Sequence, residues 1–160
     1  MGGRQTKYPG RLQTFFGPVL LFVLLFVAAP CVRSQDDTNR KLKIASNQHE
    51  VILLLIESRS FDKIEQEWKK VLDLELGGKF ESPVAQSIEN IALRLSDAKQ
   101  MSLALKLLDE SLASVPFGCQ NKADIFKLKA YLYKESGDLD SAIQAYRRAS
   151  ELAAKCSPVQ

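Results

Sequence analysis

The sequence predicts an all-α fold, a solenoid of three helical hairpins with six helices. Three observations predict it. Apolar residues recur at three- and four-residue spacing in nearly every segment after residue 44. No segment sustains an alternation of period two, so strands are not expected. A phrase is also written twice, 78 residues apart: ESRSFDKIEQEWKKVLDL at 57–74 and ESGDLDSAIQAYRRASEL at 135–152. The copies match at Glu57/Glu135, Ser58/Ser136, Asp62/Asp140 and Leu74/Leu152, with aromatics at Trp68/Tyr146 and basic pairs at Lys69-Lys70 and Arg147-Arg148. A looser copy lies between them at 97–114, and self-similarity at this period marks stacked supersecondary units.

The chain opens on a leader, residues 1–34. Arg4, Lys7 and Arg11 precede a fifteen-residue uncharged run, Phe15 to Ala29, and no acid occurs before residue 35. A basic start followed by such a run reads as a secretory signal, with cleavage expected after Ser34. The competing reading is an uncleaved anchor with its apolar core at 15–32, which reaches the lower length limit for crossing a bilayer. Either way residues 35–160 are expected outside the cytoplasm, in a periplasmic, secreted or lumenal setting, and the membrane is met only through the leader.

Removing the leader changes the charge. Arg4, Lys7, Arg11 and Arg33 are four of the 22 basic residues, and all 19 acids follow them, so residues 35–160 carry 18 − 19 = −1. The high overall pI of 8.7 belongs largely to the leader and does not point to nucleic acid.

Residues 35–43 read as a polar tether, frayed or forming the first turn of a helix. Phe61, Ile64, Trp68, Val71 and Leu72 mark one amphipathic helix, and Ile88, Ile91, Ala92 and Leu95 mark another. Gly77-Gly78 and Pro116-Phe117-Gly118 punctuate the boundaries between pairs, and Ser136-Gly137 makes a tight turn within the last. The expected pairs are 44–58 with 61–76, 84–97 with 100–115, and 122–135 with 139–155. The short connections within pairs require antiparallel neighbours. The tail is 157–160.

On these residues the chain resembles the tetratricopeptide-repeat family. The last unit carries the motif most fully: Ala130, Tyr133, Gly137, Ala142, Tyr146 and Ala149. Small side chains let paired helices cross closely while large ones fill the gaps beside them. The middle unit keeps Ala92, Leu95, Ala104, Leu108, Ser111 and Pro116, but Lys99 stands where the family has glycine. The first is degenerate, with Ile52 and Ile64 at the small positions, Arg59 in the turn and Trp68 at the aromatic position. The units fall at about 45–78, 85–118 and 123–156.

The resemblance implies a protein-interaction module that holds a protein or peptide partner on the face lined by the first helix of each pair. By helical position that face carries His49, Leu53, Ile56, Gln86, Glu89, Asn90, Leu93, Lys127, Tyr131 and Lys134. The family's best-known mode grips a C-terminal carboxylate with lysine, asparagine and arginine. Only Asn90 matches here; His49, Leu53, Asp124 and Leu128 fill the other places, so that mode is not expected. The implied role is an adaptor or scaffold at the cell envelope. The alternative is a membrane-anchored structural subunit of a larger complex.

Catalytic chemistry is not indicated. His49 is the sole histidine and has no partner at zinc spacing, no phosphate-binding glycine loop occurs, and Asp109-Glu110 reads as a solvated face. No enzyme activity, cofactor, metal or small-molecule substrate is expected. Cys119 opens the last hairpin and Cys156 closes it, at the same end of an antiparallel pair, so an exported chain is expected to join them by a disulfide. The run Val51–Ile56, VILLLI, is apolar all round its helix and needs cover on two sides: the stack on one, and residues 36–44, another subunit or a bound segment on the other.

Overall fold

A computed structural model describes the backbone of residues 17–156 and side chains of 36–156 except Lys79. The leader, its cleavage after Ser34, its apolar core at 15–32 and the tail at 157–160 rest on side chains outside that description. Among the described residues no helix is long and apolar enough to cross a membrane. The chain divides into two compact units, Met1–Asn39 and Arg40–Gln160.

Among the described residues the fold is all-helical, with six helices and no strand. These are α1 (Gly17–Glu57), α2 (Ile64–Leu72, entered through a 3-10 turn at Phe61–Lys63), α3 (Glu81–Asp97), α4 (Met101–Ser114), α5 (Cys119–Ser136) and α6 (Leu139–Cys156). Residues 35–43, expected as a frayed tether or a first helical turn, are helical and belong to α1; nothing between Gln35 and Lys43 is glycine or proline. α2 ends earlier than expected. Glu75 takes a positive φ of 53°, and Leu76 turns inward, 5% exposed.

The connections α1–α2, α3–α4 and α5–α6 share one geometry. Arg59, Lys99 and Gly137 hold φ of 57°, 63° and 84°. In each turn the next residue's N–H reaches back to close the helix: Ser60 to the Leu55 carbonyl (2.8 Å), Gln100 to Leu95 (2.8 Å) and Asp138 to Tyr133 (2.9 Å). A second bond runs from the left-handed residue itself, Arg59 to Ile56, Lys99 to Ser96 and Gly137 to Lys134. This is the Schellman closure, which satisfies carbonyls that a helix end otherwise leaves open.

The core of the second unit is continuous. Ile52, Ile64, Trp68, Ile88, Ile91, Leu95, Leu107 and Leu108 are fully buried. In the last pair Ala130, Ala142, Ala145 and Ala149 are buried, and these small side chains let α5 and α6 approach closely. Polar stitches set the rest. Glu81 accepts from the Gly118 N–H (2.6 Å) and from Asn121 Nδ2 (3.0 Å), tying the start of α5 to the start of α3. Lys129 of α5 pairs with Asp109 of α4, and Lys106 of α4 with Glu65 of α2.

The apolar run in α1 is covered on one side only. Ile52 and Ile56 are buried, and Leu53 and Leu55 pack half-buried against the core. Val51 is 41% exposed and Leu54 63%.

Candidate functional site

A groove with convergent polar groups lies between α1 and the N-terminal half of α3. The α1 wall is Leu42, Ala45, Ser46 and His49, one helical stripe at i, i+3, i+4 and i+7. The α3 wall is Pro83, Val84, Gln86, Ser87 and Asn90, and Val71 and Leu76 form the floor. The groove has a volume of about 350 Å³. Leu76 reaches it because the chain turns at Glu75, so the early end of α2 helps build the site.

His49 joins the two walls. Its Nδ1 lies 2.7 Å from the Ser87 hydroxyl. Gln48, beside it, donates to the Glu67 carboxylate on α2 and so helps hold α1 in place. None of the eleven lining residues is Asp, Glu, Lys or Arg. The groove therefore offers an apolar floor, two carboxamides and two hydroxyls, groups suited to a side chain and the peptide amides beside it.

The structure sorts the ten sequence-expected residues into three groups. His49, Gln86 and Asn90 converge on the groove. Leu53 and Ile56 turn toward the core, half-buried and buried respectively. Glu89 and Leu93 are exposed on α3 without lining the groove, and Lys127, Tyr131 and Lys134 are exposed on α5. Lys127 is held by Asp124 at 3.2 Å. Sequence reasoning missed Ser46, Pro83 and Ser87. Ser46 lies one turn before His49 on the same stripe, and that periodicity could have found it.

Among the described residues no group of three or more His, Cys, Asp or Glu side chains is placed to hold a metal. At the far hairpin, Cys119 and Cys156 stand at disulfide distance, with Cα atoms 5.6 Å apart. Among the described residues, fold and groove together define an all-helical protein with an open cleft, free of Asp, Glu, Lys and Arg, between its first and third helices. No family model, curated protein or solved structure matches the chain.

Proposed function

We propose that this chain is an exported, tetratricopeptide-like adaptor that binds a protein or peptide segment at the cell envelope, recognising rather than transforming it. The observation that carries this reading is the α1–α3 groove, where His49, Gln86 and Asn90 meet above an apolar floor. The three equivalent left-handed turns and the buried Ala92, Ala104, Ala130, Ala142 and Ala149 support the repeat reading beside it. The paired cysteines suit an oxidising compartment. With no Asp, Glu, Lys or Arg lining the groove, the preferred segment is an uncharged stretch anchored by one apolar side chain, its amides met by Gln86 and Asn90.

The test is binding of short peptides, blocked at both ends and centred on Leu, Phe, Asp or Lys, to the full chain recovered from the exporting host. Leu- and Phe-centred peptides bind, and Gln86→Ala with Asn90→Ala weakens them by about tenfold. Both positions are exposed, so the variant keeps its fold. Binding unchanged in that variant, or no peptide bound at all, rejects the reading.

A further inference from the structure

Aligning the hairpins by their repeat offsets of 38 and 40 residues equates Tyr146 of α6 with Leu108 of α4 and Trp68 of α2. Leu108 and Trp68 are fully buried, whereas Tyr146 is 45% exposed. Ile143, one turn earlier, is 49% exposed, and its counterpart Leu105 is half-buried against the core. These α6 residues form a stripe at helical spacing, with a shallow hollow beside Arg147.

One repeat earlier, α4 is in contact with α5, and Asp109, next to Leu108 on α4, pairs with Lys129 of α5. Lys129 and Leu132, one turn apart on α5, are both buried. The counterpart of α5 at an offset of 78 is α1, where Val51 and Leu54 occupy those two places. Both are exposed, at the values given above. The two faces that would complete an α4–α5 contact thus stand open in one molecule, one on α6 and the other on α1.

We propose that a second copy of this chain docks its α1 face, Val51 and Leu54, onto the α6 face, Ile143 and Tyr146. The joint continues the internal α4–α5 packing from one molecule to the next. Charge fits this pairing. Arg147 replaces Asp109 in register, and Glu50 precedes Val51, the counterpart of Lys129, by one residue, so charges of opposite sign stand on the two faces, close to the place of the internal ion pair. The contact joins two different surfaces, so it is head-to-tail and open-ended. This inference rests on the repeat register of the proposed function but not on peptide binding.

Sedimentation velocity of the full chain from the exporting host, across the micromolar range, tests it. The average mass rises with concentration past that of a dimer. Tyr146→Asp and Leu54→Asp each weaken association by about tenfold or more. Mixing those two variants yields a discrete one-to-one heterodimer, since each keeps one intact face. Arg147→Glu weakens association, and adding Glu50→Arg restores it. All four positions are exposed, and circular-dichroism melts check that each variant folds. A monomer at every concentration, a closed dimer indifferent to Leu54→Asp, or no heterodimer in the mixture overturns the proposal. Peptide binding, measured on the same samples at low concentration, shows separately whether the adaptor reading stands.

Discussion

The indole Nε1 of Trp68 donates to the Ser111 hydroxyl at 3.1 Å, joining α2 to α4 through the centre of the core. Ser111 in turn donates to the Leu107 carbonyl at 2.7 Å, and both side chains are fully buried. One hydroxyl therefore satisfies the indole and places its own proton. Ser111→Ala leaves the Trp68 N–H without a partner and is expected to cost about 1–3 kcal/mol in urea unfolding. In a Trp68→Phe background the same change costs far less, because the stranded donor is gone. Additive losses would mean the bond contributes nothing.

The three helix-closing turns give a second prediction. The left-handed conformation costs an L-residue about 1–2 kcal/mol, part of which is offset because glycine loses more chain entropy on folding. Lys99→Gly and Arg59→Gly should each stabilise by about 0.5–1 kcal/mol, and Gly137→Ala should destabilise by a similar amount. A Cβ on Gly137 meets nothing within 4 Å, so its cost is conformational alone. Thermal melts of the three variants check the signs.

The cysteine pair gives a third. A cross-link between residues 37 apart stabilises by about 3–4 kcal/mol on the chain-entropy model. Adding reductant, or making Cys156→Ser, is expected to lower the unfolding midpoint, with α5 and α6 losing amide-exchange protection first. Thiol titration of the exported, unreduced protein should find both cysteines blocked; two free thiols would remove the link.

Acid should weaken the fold. A hydrogen bond from Lys106, joined by one from Lys69, holds the Glu65 carboxyl below its ordinary 4.5. Ser141, through its hydroxyl and then its backbone N–H, holds Asp138 below 3.8 at the start of α6. A carboxyl lowered by folding contributes stability that is complete above its unfolded value and lost as pH falls through the folded one. The melting temperature should therefore stay level near neutrality and fall below pH 4.5, less steeply in Glu65→Gln and Asp138→Asn. Salt should shrink the Glu65 contribution, since its partners are exposed.

Much of this molecule is legible in its sequence, and the reason is local. Helix existence, helix order and the three hairpin turns follow from the 3.6-residue period and from punctuation at Gly77, Pro116 and Gly137, all encoded within a few residues of where they act. Arg59 and Lys99, which the sequence puts in turns, hold the same left-handed φ as Gly137 although neither is a glycine. Helix ends were less so. α2 stops at Leu72, and Leu76 beyond it is buried through contacts with segments distant in sequence, which no local window records.

The site divides along the same line. Periodicity placed His49, Gln86 and Asn90 on one aspect of their helices, and they meet in the groove. It placed Leu53 and Ile56 there too, yet the core takes them, because a helix apolar all round has no face of its own until a neighbour covers one. The pairing of His49 with Ser87, the inward turn of Leu76 and the exposure of Val51, Leu54 and Tyr146 are likewise set by which helix lies against which. The helices, their order and the turns that join them can be read along the chain, because they depend on residues a few places apart. Which apolar faces are core and which stand open is settled by packing in three dimensions, because burial depends on distant segments brought together.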